Sequence, residues 1–381
     1  MKFLHIADLH IGKSVNGYSM LDEQRNIFRQ IIEYIRERKP DAVVIAGDVY
    51  DRAVPSVEAV RIFDDFLTGL SREAVTVLLI AGNHDSPERL NYASRLLTEM
   101  NLHICGAFDG AVKVVTLADV FGEVKFFLLP FIKPLTVRGY FAGKEIESYN
   151  DALKAVLENA DINPDGRNVL VSHQFYTKAG VNAERSDSEI SIGGIDEIDA
   201  DILSAFDYAA LGHLHGSQRA GAEHIRYAGS PIKYSFSECK QNKCALLVEL
   251  KKKGELSVKA LPLTPLHDLR EIRGTLDGLL KADGGTVGDR DDYLRIILTD
   301  EEEIIDPMNK LRAVYPNAMV LDFENSRTRI DLSAVNADAE SAERLSEYDL
   351  FCQFFADVTG GVMTGEQADI IRDLLDGEDA R

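Results

Sequence analysis

The sequence predicts a layered α/β fold, and three features predict it. Strand-length apolar runs alternate with amphipathic helical stretches through the first half of the chain. Hydrophobic runs lead into five short polar segments with the same kinds of side chain: Asp8-Leu9-His10, Gly47-Asp48-Val49-Tyr50-Asp51, Gly82-Asn83-His84-Asp85, Ser172-His173 and Gly212-His213-Leu214-His215. From about Cys244 the alternation stops and a smaller unit begins.

Taken in order, Lys2–Ala7 reads as a strand that delivers Asp8 and His10. Residues 21–38 form a helix, because Ile27, Phe28, Ile31, Ile32 and Ile35 recur on one face. Ala42–Ala46 is a buried strand leading to Gly47-Asp48. Ser56 caps a second helix with Val60, Phe63, Leu67 and Leu70 as its buried stripe. Val75–Ile80 is a strand before Gly82-Asn83-His84. Asn168–Val171 runs into His173, and Tyr208–Leu211 into Gly212-His213. Residues that follow the strands of an α/β sheet collect at one edge of it. The glycines among them, Gly47, Gly82 and Gly212, are expected to let the backbone turn sharply.

Ala245–Leu250 and Leu256–Leu261 read as a β-pair closing the first domain, with a boundary at Pro262–Pro265. Strands at Leu269–Ile272, Tyr293–Leu298 and Ala318–Phe323 then alternate with helices near Leu276–Leu280 and Met308–Val314. This part carries no ligand cluster, so it is expected to be a lid or recognition domain. Residues from about Ser326 to Glu343 have linker composition. Two helices end the chain: Phe351, Phe354, Phe355 and Val358 stripe the first, and Thr364-Gly365-Glu366-Gln367 is a capping-box pattern opening the second, with Ile370, Ile371, Leu374 and Leu375 apolar. So small a unit cannot bury those faces alone. They pack back on the main domain or dock on a partner.

At 381 residues the chain is long enough for two or three domains. No apolar run approaches the ~18 residues of a membrane span, and Asp8 and His10 interrupt the only candidate signal stretch, so a cytoplasmic protein is expected. The four cysteines, Cys105, Cys239, Cys244 and Cys352, show neither a disulfide framework nor a zinc spacing and read as free thiols. The net charge of −21 argues against a bare nucleic-acid binder. It does not exclude one whose site holds two divalent cations, about +4 locally, and whose partner supplies basic surface.

Aspartate, asparagine and neutral histidine are the hard-to-borderline donors that hold divalent metals, and a two-metal site supports in-line attack on phosphorus. Asp-x-His or Gly-Asp after a strand says little alone. Gly-Asn-His-Asp and Gly-His-x-His say more, and all five segments in order are specific for a metallophosphoesterase. His5, His103, His224 and His267 lie outside the constellation. Gly12-Lys13-Ser14 looks like the end of a phosphate-binding P-loop, but residue 7 is Ala where that loop needs glycine, so no ATP site is assigned.

The motif set resembles the calcineurin-like metallophosphoesterase superfamily. Within it, the whole chain is similar to the nuclease subunits of bacterial double-strand-break repair complexes and their archaeal and eukaryotic relatives. Gly229-Ser230-Pro231, Ser235-Phe236-Ser237-Glu238, the small later domain and Leu350-Phe351-Cys352-Gln353-Phe354-Phe355 with Thr359-Gly360 and Glu366-Gln367 extend the resemblance beyond the metal motifs. It implies an α/β layered domain, a β-sandwich flanked by helices, over residues 1–265. A small α+β capping domain for DNA recognition would span 266–325, a linker 326–343 and partner-binding helices 344–381. It implies that Asp8, His10 and His215 bind one metal, that Asn83, His173 and His213 bind the other, and that Asp48 bridges them. His84 would be the proton donor to the leaving oxygen, and two Mn²⁺ ions the cofactors. Asp51 and Asp85 would orient histidines from behind, and Arg52 would contact phosphate, since Asp51-Arg52 resembles a phosphoprotein-phosphatase motif. Where archaeal and eukaryotic relatives carry a second histidine, this chain has Asp51. The resemblance further implies DNA as substrate, a homodimer, and a coiled-coil SMC-like ATPase bound through the C-terminal helices. The competing expectations are a stand-alone esterase acting on a small phosphoester or phosphoprotein, and a scaffold without activity.

Overall fold

The computed structural model describes residues 1–178, 184–189, 196–281, 289–325, 347–359 and 363–376. The chain divides into two compact units, Met1–Leu269 and Arg270–Arg381.

Two six-stranded sheets make the first unit. The first is built from β1 (Lys2–Ile6), β2 (Ala42–Ala46), β3 (Thr76–Ile80), β4 (Leu102–Cys105), β11 (Cys244–Leu250) and β12 (Leu256–Pro262), in the order β12-β11-β1-β2-β3-β4. The second is built from β5 (Lys113–Asp119), β6 (Gly122–Leu129), β7 (Arg167–Ser172), β8 (Tyr208–Leu211), β9 (Gln218–Arg219) and β10 (Ile225–Tyr227), in the order β9-β10-β8-β7-β6-β5. β1 through β4 run parallel, as do β6, β7, β8 and β10. Parallel strands covered on both faces read as unbroken apolar runs rather than alternating ones. Ala-Val-Val-Ile-Ala of β2 is such a run and is buried throughout.

Phe3, Val44 and Leu78 from the first sheet meet Phe126, Val169, Val171 and Tyr208 from the second in one core, so the sheets face each other as a sandwich. Phe3 sits edge-on to Phe126 at 5.4 Å and to Tyr208 at 5.6 Å. His5 is also buried and meets the Tyr208 hydroxyl at 3.0 Å, as a core histidine should. On the outer side of the second sheet, Leu153 and Val156 of α3 (Tyr149–Glu158) pack with Phe127, Leu170 and Leu211. The sequence pattern assigned no elements to β5, β6 and α3, although Ser148 and Asp151 form a complete capping box at the start of α3.

α1 (Leu21–Arg38) buries Ile27, Phe28, Ile31 and Ile35. α2 (Val57–Arg72) starts where expected, the Ser56 hydroxyl accepting from the Ala59 amide at 3.2 Å. Its phase differs from the one the sequence suggests. Ala59, Ile62, Phe63, Phe66 and Leu70 are buried, whereas Val60 is 46% exposed and Leu67 half-buried. Phe63 and Leu70 belong to both stripes, while Ile62 and Phe66 are buried in place of Val60 and Leu67; the rings of Phe28 and Phe66, stacked at 4.4 Å, tie α1 to the observed face.

At the end of the sandwich where β1 and β7 begin, Arg167 is buried and fully engaged. Its guanidinium is bidentate to Asp119 at 2.7 and 3.0 Å and donates to the carbonyls of Gly122 at 2.6 Å, Lys251 at 2.7 Å and Leu250 at 3.3 Å. These groups come from both sheets, so one cation fastens them together.

In the second unit, β13 (Leu269–Gly274), which begins at the division, β14 (Tyr293–Leu298) and β15 (Ala318–Phe323) form a sheet in that order, with β14 and β15 parallel. α4 (Leu276–Lys281) and α5 (Pro307–Arg312) join Leu294, Ile296, Leu298 and Tyr315 in its core. α6 (Glu347–Thr359) and α7 (Gly365–Asp376) close the chain. The α7 capping box is present: Gln367 accepts from the Thr364 amide at 2.9 Å and donates its own amide to the Thr364 hydroxyl at 3.4 Å. Phe354, Ile370 and Leu374 are 61%, 60% and 63% exposed. The linker expected at 326–343 and the Val358 side chain lie outside the described residues.

Breaking a buried ion pair by removing one partner costs roughly 3–5 kcal/mol. Arg167→Ala is therefore expected to lower the stability measured by urea unfolding by that much. Arg167 hydrogen bonds hold Asp119 well below the usual carboxylate range. A carboxylate depressed in the folded state stabilises fully above its unfolded value of about 3.9 and less as pH falls below it. Denaturation between pH 5 and 3, taken as about the relevant window, should show a shallower acid loss in Arg167→Ala than in the unaltered chain.

Candidate metal centre

Each ligand segment follows a strand. Asp8 and His10 follow β1, Asp48 follows β2, Asn83 and His84 follow β3, His173 follows β7, and His213 and His215 follow β8. The parallel order sets these ends side by side. The first two loops stay zipped beyond the strands: the Asp8 amide donates to the Gly47 carbonyl at 3.1 Å, His10 to Asp48 at 2.9 Å and Ile11 to Val49 at 2.9 Å.

The backbone here is unusual. Asp8, His10, Asp48 and His213 all have positive φ, at 53°, 42°, 50° and 102°. Such conformations cost of order 1–3 kcal/mol each and persist where surrounding structure enforces them. Gly47, at φ 89°, behaves as expected of a turning glycine. Gly82 and Gly212 do a different job from the one the sequence suggested. A β-carbon at Gly82 would overlap the Asp48 carboxylate, and one at Gly212 would overlap the Ala46 carbonyl. They leave room rather than make a turn.

The side chains converge. His10 Nε2 and His215 Nε2 lie 3.1 Å apart. Asn83 Oδ1 lies 3.1 Å from both His173 Nε2 and His213 Nδ1, and Asp48 Oδ2 lies 3.3 Å from His173 Nε2. Three triplets place their donor atoms within 4.8 Å of one another: Asp8, His10 and His215; Asp8, Asp48 and His173; His10, Asp48 and His84. Asp8, His10, Asp48, His173 and His215 are all buried.

The donor set fits a divalent cation. Neutral imidazole and ionised carboxylate are what such an ion requires. Burial holds His10 well below the ordinary histidine value and His213 at about 3, so both are neutral. The His10 Nδ1 atom is buried without a hydrogen-bond partner. Burial raises Asp8 to about 7 against the pull of His173 and His215, and the nearby Asp48 adds to the rise. Burial alone would lower His173, yet Asp48 outweighs it and carries His173 up to about 9. Burial would likewise raise Asp48, but His173 and its neighbours hold it well below the carboxylate range.

Outer contacts aim the rings. His173 Nδ1 donates to the Ala46 carbonyl at 2.8 Å, which turns the Nε2 lone pair inward. His84 Nδ1 donates to the Asp51 carbonyl at 2.9 Å, and its Nε2 is 4.0 Å from Asp48. Asp51 therefore orients a histidine through its backbone. Its carboxylate pairs with Lys13 at 2.8 Å and stands 3.9 Å from His10, beyond hydrogen-bond reach. Asp85 orients no histidine. It accepts the amides of Val49, Tyr50 and Gly82 at 3.0, 2.9 and 2.9 Å, tying the loop after β2 to the loop after β3. Arg52 is 82% exposed, with Asp51 at 3.6 Å.

Several neighbours carry roles that the sequence did not suggest. The Gln24 amide donates to the His10 carbonyl at 2.8 Å, and the Tyr234 hydroxyl donates to Leu9. Glu238 accepts from His215 Nδ1 at 3.1 Å, and the buried Lys243 pairs with Glu238 at 2.6 Å. Glu238 is 23 residues from His215 in sequence, and no local pattern joins them.

Comparison with known proteins places the chain in a family. Residues 1–217 match the family model for calcineurin-like phosphoesterases, and residues 265–359 match one described as the type 5 capsule protein repressor C-terminal domain, SbcD_C. The chain belongs to the calcineurin-like phosphoesterases, and it is a metal-dependent phosphoester hydrolase whose centre binds divalent metal. It belongs more narrowly with the SbcD proteins. It is 32% identical to the SbcD chain of the nuclease SbcCD from Staphylococcus epidermidis over 98% of both chains, and 31% identical to its counterpart from Staphylococcus saprophyticus, again over 98% of both. Among solved structures, a dimetal phosphatase from Danio rerio aligns with a TM-score of 0.39 at 15% identity, covering 70% of this chain and 99% of that one.

Gly82→Ala pushes a methyl group into Asp48 and is expected to weaken Mn²⁺ binding about tenfold or more by calorimetry, the scale on which displaced ligand supports act. Chelation removes a ligand that binds only the folded state, so the melting temperature should fall on adding EDTA and recover with excess Mn²⁺; saturation at 100 times Kd contributes about 2.7 kcal/mol.

Proposed function

We propose that the chain is the nuclease subunit of an SbcCD-type complex and hydrolyses DNA phosphodiesters at a two-metal centre. The observation that carries this reading is the convergence of the Asp8, His10 and His215 donors beside those of Asn83, His173 and His213, with Asp48 between the two groups. Asp8, His10 and His215 would hold one ion, Asn83, His173 and His213 the other, and Asp48 would bridge. Two borderline-to-hard divalent ions, Mn²⁺ by family preference, supply Lewis acidity toward a phosphoryl oxygen and lower the pKa of water.

His84 is the acid. Its Nδ1–H is occupied by the Asp51 carbonyl, so the proton of the imidazolium that can leave is the one on Nε2, on the Asp48 side of the ring. A histidine is suited to protonating a departing alkoxide near neutral pH. Asp85 and the paired backbone of the first two loops keep Asp48 and His84 in register, the His84 amide donating to Asp48 at 2.9 Å.

The substrate specificity proposed is 3′ to 5′ exonuclease action on double strands and endonuclease action on single strands and hairpins. An SbcC-type coiled-coil ATPase would bind through α6 and α7, whose exposed Phe354, Ile370 and Leu374 supply apolar surface for it. Exposed Val54, Val57, Tyr92, Leu96 and Met100 support a homodimer. No helix among the described residues is long and apolar enough to cross a membrane. The four cysteines are free, as a reducing cytoplasm would keep them. The net charge of −21 favours a second reading, a stand-alone esterase acting on a small phosphoester or phosphoprotein with Arg52 as phosphate contact.

The deciding assay incubates the purified chain with Mn²⁺ on end-labelled hairpin and blunt DNA and on a chromogenic phosphodiester, beside His84→Ala. The nuclease reading expects DNA cleavage that His84→Ala reduces by about 100-fold or more, the usual worth of a general acid. Turnover of the small ester with intact DNA, unchanged after adding the ATPase partner, would establish the second reading instead.

A further inference from the structure

Behind His215 lies a buried charged network that the hydrolytic reading does not use. Glu238, on the turn Phe236–Glu238, is inaccessible to solvent. Its Oε1 receives the Ser186 hydroxyl at 2.6 Å, the Ser188 hydroxyl at 2.9 Å and His215 Nδ1 at 3.1 Å. Its Oε2 receives Lys243 at 2.6 Å and the Tyr234 amide at 3.2 Å. Lys243, also buried, donates to the His215 carbonyl at 2.9 Å and to Ser230 at 2.8 Å. The His215 amide donates to Glu189 at 2.6 Å. One residue is thus gripped at its amide, its carbonyl and its ring.

We propose that Glu238 is the positioning residue of His215, fixing its tautomer and aim, and that Lys243 holds Glu238 in place. The proposal rests on the reading of His215 as a metal ligand. A carboxylate can only accept, so Glu238 Oε1, 3.1 Å from His215 Nδ1, calls for the ring hydrogen on that atom. The Ser188 oxygen, 2.9 Å from both, can accept from Nδ1 as well while its own hydrogen turns to Glu238. Nε2 is left with a lone pair, on the side where His10 Nε2 stands 3.1 Å away. A carboxylate behind a ligating histidine also raises its basicity. His173 takes the same tautomer from a backbone carbonyl, whereas His215 takes it from a charged side chain that needs its own counter-ion. The Glu238 carboxylate alone would add a further buried acid to a site that already holds Asp8, Asp48 and Asp85; Lys243 pairs with it.

The test measures Mn²⁺ binding by calorimetry and the visible band of bound Co²⁺ in the full chain. It compares the unaltered protein with His215→Ala, Glu238→Gln, Glu238→Asp and the double variant Glu238→Gln/Lys243→Met, which leaves no unpaired buried charge if the single change misfolds. Arg167→Ala serves as a destabilised control far from the ligands. The expected result is loss of one ion in His215→Ala. The same binding event should weaken about 10–100-fold in Glu238→Gln and in the double variant. The Co²⁺ band should shift in these and not in Arg167→Ala, and Glu238→Asp should restore part of the affinity. Native affinity and spectrum in the double variant, with an ion lost in His215→Ala, would overturn the positioning role alone. Native binding in His215→Ala would overturn the ligand assignment and this proposal with it.

Discussion

Asp8 and Asp48 are both fully buried and share histidine neighbours, in a place where water cannot separate their charges. Two carboxylates brought out of solvent together raise each other's proton affinity unless a cation sits with them. That constraint organises the rest of the first unit. It accounts for the neutral His10 and His213 beside the pair and for the raised Asp8. It also accounts for the strained backbone. Asp8, His10, Asp48 and His213 hold positive-φ conformations at the points where their side chains converge on the pair.

What the sequence made legible was whatever local pattern records. The strands that deliver ligands are short unbroken apolar runs, and their ends carry residue types that solvent-facing loops have little reason to repeat five times. The loop residues therefore fell together, whereas the sandwich followed from the family resemblance rather than from any strand by itself. The helix phase of α2 was misjudged because Val60 and Leu67 are as apolar as Ile62 and Phe66, and only packing against Phe28 distinguishes them. The hairpin of β5 and β6 carries no ligand and so drew no attention.

The outer residues of the centre were the hardest to read. Asp85 sits next to a histidine in sequence, which suggests a carboxylate–imidazole pair, yet its neighbours in space are three amides. Glu238 was visible as part of a motif without a function, since the contact that gives it one spans 23 residues and depends on Lys243, Ser186 and Ser188 arriving from elsewhere. Gly82 and Gly212 show the same limit. A glycine in a loop looks like a hinge, and only the Asp48 carboxylate and the Ala46 carbonyl beside them reveal that they are clearances.

Arg167 and the metal centre occupy opposite ends of the same strands: β7 begins at one and ends at the other. Both draw groups from the two sheets. The sandwich is consequently held by charge at both ends, by Arg167 at one and by the ligand cluster at the other. Loss of an ion would therefore loosen the layers at the Asp48 end while Arg167 still holds the other. Amide hydrogen exchange would sense this as a gradient along the strands, ion-dependent near Asp48 and His173 and indifferent near Asp119.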